Sequence, residues 1–173
     1  MRKYSNPSWK YADNGISNQI LIYCDVGRKR VMLVDSHLNK FLFARIEKRK
    51  EGTYTGEYKA IIFALNYIHK TYKDRDIVLL TDAKSESDAL NGNYAHRNPL
   101  MKYIFQRANE SLVKARIYNI VNIIWLPRSI NEAGLFLERF NYNRTTHFAK
   151  NNIEQLDYET LEPIPIAVGD NSP

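Results

Sequence analysis

The sequence predicts a single α/β domain built on a five-stranded mixed sheet flanked by helices. Short apolar runs alternate with longer stretches whose apolar residues recur at helical spacing. Turn-forming Gly, Pro, Asn and Asp fall between them. Three carboxylates, Asp25, Glu57 and Asp82, each stand where a run meets a turn, and ligands of open α/β sheets bind at such strand ends. If the three converge they need a cation, because clustered negative charges repel and raise one another's pKa.

The elements follow in order. Residues 1–18 are polar and aromatic, with turn signals at Asn6-Pro7 and Asn14-Gly15, and read as an N-terminal arm. A first strand, Ile20 to Cys24, ends at Asp25, with Gly27 marking a turn or a close backbone approach. Val31–Val34 and Phe41–Ile46 complete an antiparallel meander of three strands. The first helix carries Ile61, Ile62, Leu65 and Ile68 on one face, and Thr53 or Thr55 is placed to cap it. Ile77–Thr81 is a fourth strand ending at Asp82, and a short helix spans Ser85 to Leu90. Asn91-Gly92-Asn93 breaks it, and Pro99 suits the first turn of a long helix whose core face is Leu100, Ile104, Ala108 and Leu112. Val121–Leu126 is the fifth strand, parallel to the fourth, with Trp125 expected in the core. A last helix spans Asn131 to Phe140, so the domain occupies 19–140, and residues 141–173 lose periodicity and read as a tail.

Composition narrows the class. Of 173 residues, 44% are apolar and 25% charged, an ordinary globular balance. No apolar stretch is long enough for a membrane span, and the N-terminal segment has no apolar core of a secretory signal. The lone cysteine, Cys24, lies in an apolar strand, and a reducing cytoplasm is the expected compartment. Lys and Arg total 25 against 19 acids, a net charge of +6. A basic balance favours polyanions, nucleic acid foremost, although a solubilising surface has the same signature. No P-loop, GxGxxG or CxxC pattern is present, which counts against nucleotide and zinc chemistry.

Element order and carboxylates together resemble the ribonuclease H family over residues 19–140. Thr53-Tyr54-Thr55-Gly56-Glu57-Tyr58-Lys59-Ala60 is similar to the segment that opens that family's first helix and places Glu57 on its metal-binding glutamate. Cys24-Asp25-Val26-Gly27 resembles the strand-one motif, with Val26 inserted between Asp and Gly, and Leu80-Thr81-Asp82-Ala83-Lys84 resembles the end of strand four. Leu126 to Ala133 resembles the segment before the last helix. The resemblance implies a ribonuclease H-like fold, Mg²⁺ or Mn²⁺ as cofactor, and Asp25, Glu57 and Asp82 as catalytic metal ligands with Asp25 bridging two ions. It also implies endonucleolytic cleavage of the RNA strand of RNA/DNA hybrids. One position departs: Leu135 stands where the family has a fourth carboxylate. Glu132 and Glu138 lie about one helical turn away on either side, and either reaches the site only if the helix is shifted or rotated.

Phosphodiester hydrolysis needs a deprotonated water, neutralised charge at phosphorus and a stabilised leaving oxygen, which two Mg²⁺ ions about 3.5–4 Å apart supply together. Mg²⁺ binds oxygen and keeps several waters, so a few carboxylates suffice. Arg128, Arg97 and Lys102 are the candidate phosphate contacts, against the plainer reading of solvated side chains. Tyr54 and Tyr94 stand near loops where an aromatic ring can stack on a base. Ser85 and Ser87 show no His and acid partners in sequence, which disfavours a nucleophilic hydrolase. Two other readings keep the fold: an inactive nucleic-acid-binding or protein-interaction module, which Leu135 favours, and a nuclease acting on DNA.

Overall fold

Strand β1 (Gln19–Val26) is central, and every later element is placed relative to it. The computed structural model describes residues 19–27, 29–46, 52–142 and 153–165, so the N-terminal arm lies outside the described residues. β2 (Arg30–Asp35) and β3 (Lys40–Arg45) follow as the expected antiparallel meander. The β1–β2 turn is closed by Gly27 N–H donating to the Arg30 carbonyl at 2.8 Å. α1 (Gly52–Thr71) crosses over to β4 (Asp76–Thr81), which pairs parallel to β1. α2 (Lys84–Leu90) and α3 (Pro99–Arg116) precede β5 (Ile120–Trp125), parallel to β4, and a 3-10 turn at Arg128–Ile130 leads into α4 (Glu132–Tyr142).

The sheet has seven strands rather than five, in the order β5-β4-β1-β2-β3-β6-β7. β6 (Ile153–Leu156) pairs parallel to β3, and β7 (Pro163–Ile164) pairs antiparallel to β6. Residues read as tail therefore extend the sheet. They escaped notice because Ile153-Glu154-Gln155-Leu156 is too short and too polar to signal a strand.

Alternation along the strands sorts the core into two layers. Ile20, Ile22 and Cys24 of β1 face the layer that α1 and α3 cover, with Tyr58, Ile61, Leu65, Ile68, Ile104, Ala108 and Leu112. Tyr23, with Met32 and Phe43, faces the other layer, closed by Ala133, Phe136 and Leu137 of α4. Sealing one face with two helices and part of the other with one leaves Ile120 and Ile124 of β5 exposed.

Local chemistry explains the boundaries. Asn98 caps α3 by accepting from Leu100 N–H at 2.8 Å, with Pro99 in the first turn as expected. Leu100 is exposed rather than core, because it falls in the solvent-side first turn. Thr55 does not cap α1: the helix begins at Gly52, which leaves Thr55 buried inside it, and the Thr53 side chain lies outside the described residues. Asp35 ends β2 fully buried, accepting from the hydroxyls of Tyr67 and Tyr72 at 2.8 and 2.6 Å and from the His37 and Leu38 amides. Burial and that carboxylate push both tyrosine hydroxyls well above their ordinary pKa. Among the described residues no helix is long and apolar enough to cross a membrane.

Candidate metal centre

Register brings the first two carboxylates together. Cys24 of β1 lies beside Thr81 of β4 in a parallel pair, so the next residues, Asp25 and Asp82, emerge side by side at one end of the sheet. Glu57 comes from the first turns of α1, which is close enough to β1 that a Cβ on Gly56 would lie 3.3 Å from Val26. A side chain at position 56 would need Val26 or the helix to give by a few tenths of an ångström. One carboxylate oxygen from each of Asp25, Glu57 and Asp82 lies within 4.8 Å of the other two.

Among the described residues Arg128 offsets the negative charge of the cluster only in part. Burial, then Asp82, pushes the Asp25 carboxyl up to about 6, against the Val26 N–H that donates to its Oδ1 at 2.7 Å. Burial, then Asp25 and Asp82, pushes Glu57 up to about 8. Asp25 Oδ2 and Glu57 Oε2 are buried with no hydrogen-bond partner among the described residues. Orphaned buried carboxylate oxygens are rare and costly. An all-oxygen set with two orphans fits a hard divalent cation, which would take Asp25, Glu57 and Asp82 as ligands. Burial, and then the Asp25 charge, push the neighbouring Cys24 thiol well above its ordinary pKa, and the thiol packs in the apolar layer under α1 rather than joining the three carboxylates.

Two residues to which the sequence assigns no site role support the cluster. Asn131, fully buried, donates from Nδ2 to the Cys24 carbonyl at 3.1 Å and to Asp82 Oδ1 at 3.2 Å, while its Oδ1 accepts from Ala133 N–H at 3.2 Å. It caps α4 and aims Asp82 with one side chain, and its signal in sequence was an Asn directly ahead of a helix. Trp125 is 42% exposed rather than core, and its indole N–H donates to the Asp82 carbonyl at 3.1 Å. As the last residue of an edge strand it has no layer above it, so the ring braces the loop instead.

The fourth-carboxylate region is built differently. A Cβ on Gly134 would lie 2.7 Å from Asp25 Oδ2, so α4 presents bare backbone to the cluster. Leu135 is half-buried beside it. Neither Glu132 nor Glu138 joins the three-carboxylate group. Glu138 instead pairs with Arg128, Oε1 to Nε 3.5 Å, both well exposed. Arg128 feels Asp25 most strongly, which raises its pKa further. Arg97 lines a cavity beside the cluster, and Lys102 is exposed on α3.

The raised carboxyls predict a pH-dependent stability. Both folded pKa values exceed the unfolded ones, so the metal-free fold holds more protons than the unfolded chain. Their contribution is complete below the unfolded pKa and is lost as pH rises through about 6 and then about 8. Thermal melts in EDTA are expected to give a higher Tm at pH 5 than at pH 8, and Mg²⁺ to raise Tm more at pH 8. An Mg²⁺ effect equal at both pH values would contradict this coupling.

Comparison with known proteins agrees with the architecture. RNase H1 from the halophilic archaeon Halobacterium salinarum superposes with a TM-score of 0.54 at 21% identity, covering 72% of this chain and 99% of that one. The chain has a ribonuclease H-like fold. LC11-RNase H1, solved in complex with an RNA/DNA hybrid, superposes at 0.51 with 17% identity, over 66% of this chain and 88% of that one. The N-terminal RNase H domain of a Mycobacterium tuberculosis protein gives 0.50 with 16% identity, over 69% and 95%. No protein-family model and no curated protein sequence matches the chain. The ribonuclease H-like fold is thus shared at 16–21% identity.

Proposed function

We propose that this chain is a Mg²⁺- or Mn²⁺-dependent endonuclease that hydrolyses the RNA strand of RNA/DNA hybrids. The observation that carries the reading is the convergence of Asp25, Glu57 and Asp82 within 4.8 Å, two of them with orphaned buried oxygens. A divalent cation held there would supply activation of water and charge neutralisation at phosphorus. The protein's own share is positional. Asp25 is fixed through the Val26 amide and Asp82 through Asn131. Arg128, whose charge interacts most strongly with Asp25, is a candidate contact for the phosphate. The net charge of +6 favours a polyanionic strand generally. The hybrid as substrate is supported by the neighbour solved with one and by the 2′-hydroxyls that separate an RNA-containing duplex from DNA.

Leu135 favours a second reading, a ribonuclease H-like module that binds nucleic acid without turnover. A DNA nuclease would keep the same cluster and differ only in what it accepts. All three separate in one experiment. An end-labelled RNA/DNA hybrid is incubated with the chain in Mg²⁺ and in Mn²⁺, beside branched and single-stranded DNA. Metal-dependent shortening of the hybrid's RNA strand is the expected result. Binding without product in either metal would establish the module, and cleavage confined to the DNA substrates would reassign the activity.

A further inference from the structure

Beside the metal centre lies a cavity of about 450 Å³ lined by Glu86, Ser85, Tyr94, His96 and Arg97 among others, within the size range of small-molecule sites. Glu86 is only 3% exposed, unusual for a residue in a seven-residue helix next to a loop. Its Oε2 accepts from the Ser85 hydroxyl at 2.6 Å, whereas Oε1 is buried with no partner among the described residues. Leaving such an oxygen unpaired is destabilising, so a retained one points to a donor from outside.

The surroundings say what kind of donor. Among the described residues only Asp25, Glu57 and Asp82 converge as a metal-holding group, and Glu86 and His96 are not part of it. Tyr94 is half exposed, its ring edge-to-face with His96 at 5.0 Å and 83°, which leaves an aromatic surface free at the mouth. His96 is anchored through Nε2 to the Tyr58 hydroxyl, and Arg97 stands exposed on the rim. One aromatic face, one buried acceptor and one rim cation match a flat ring, a neutral donor and an anion in a single molecule. A nucleotide has all three. The cavity is also tied to the cluster: Tyr58 follows Glu57 in α1, and the Glu86 charge is near enough to help raise Glu57.

We propose that this cavity seats one nucleotide of the bound strand, with its base against Tyr94, its phosphate at Arg97 and a hydroxyl or exocyclic amine donating to Glu86 Oε1. The inference rests on the nucleic-acid reading above and adds a position-specific contact to it.

The test is a binding scan by fluorescence polarisation on a short RNA/DNA hybrid, with Ca²⁺ replacing Mg²⁺ to keep the strand intact. One series places a single 2′-deoxynucleotide at each RNA position in turn. A second series removes single exocyclic amines, with inosine for guanosine and purine riboside for adenosine. At one position one series is expected to weaken binding about 5- to 20-fold. The first series responding identifies the sugar hydroxyl, and the second the base. Glu86→Leu is expected to lose that sensitivity, and Glu86→Gln, which keeps an acceptor, to retain part of it. A flat scan with the unaltered protein, or a Glu86→Leu profile identical to it, overturns the subsite while leaving hybrid binding intact. Absence of any hybrid binding by the unaltered protein overturns the nucleic-acid reading and the subsite together.

Discussion

Asp25→Asn is expected to reduce hybrid cleavage by at least about a thousandfold while making the metal-free protein no less stable. Asp25 is the most buried of the three carboxylates, with 1% exposure, and one of its oxygens is an orphan. Asn has the same shape, still offers an oxygen to the Val26 amide, and removes a charge that Asp82 and Glu57 repel. The Asp25 carboxyl stands near 6 in the fold, so at pH 8 the neutral replacement relieves up to about 3 kcal/mol. The diagnostic pair is Tm in EDTA, unchanged or raised, and the Mg²⁺-induced rise in Tm, abolished. Retained cleavage together with a retained Mg²⁺ shift would remove Asp25 from the site.

Gly134→Ala makes the sharper case, since ordinary helix energetics predict the opposite sign. In a helix interior Ala is favoured over Gly by about 1 kcal/mol. Here the added methyl would lie 2.7 Å from Asp25 Oδ2, and the carboxylate cannot turn away without giving up the Val26 N–H bond at 2.7 Å. Either Asp25 leaves its place or α4 backs away, loosening Asn131 and with it Asp82. Displacing the ligand or its support is expected to lower Mg²⁺ affinity and cleavage about 10- to 100-fold, with helix content by circular dichroism preserved. Calorimetric titration of Mg²⁺ against both proteins measures it, and equal affinities would show that the contact is relieved without consequence.

The sequence made the sheet centre and the carboxylate cluster legible for a physical reason. Strands buried on both faces appear as apolar runs, and parallel neighbours in register put their terminal residues side by side, so Asp25 and Asp82 were readable before any coordinates. What stayed hidden depends on packing between distant elements. Trp125 has strand chemistry, but at a sheet edge it braces a loop. Glu86 has the spelling of a solvated helix acid, yet it is buried at the wall of a cavity shared with residues 94–98. Gly134 carries no signal in a helical pattern, and its meaning lies wholly in the carboxylate across from it. The last two strands are brief, β6 mostly half-buried and β7 exposed, and both come from a polar segment.

Those last strands govern where this protein can be cut. β6 occupies the hydrogen-bonding edge of β3, and the turn after it lays Tyr158 on Phe63, with ring centroids 5.9 Å apart, while its hydroxyl donates to the Lys59 carbonyl at 3.1 Å. Leu156 and Leu161 complete the core beneath. A fragment ending at residue 140, where periodicity stops, would display β3 as a bare edge beside an uncovered aromatic ring, a template for strand-to-strand self-association. β6 and the turn that carries Tyr158 thus shield that edge, clasped onto the same helix that carries Glu57.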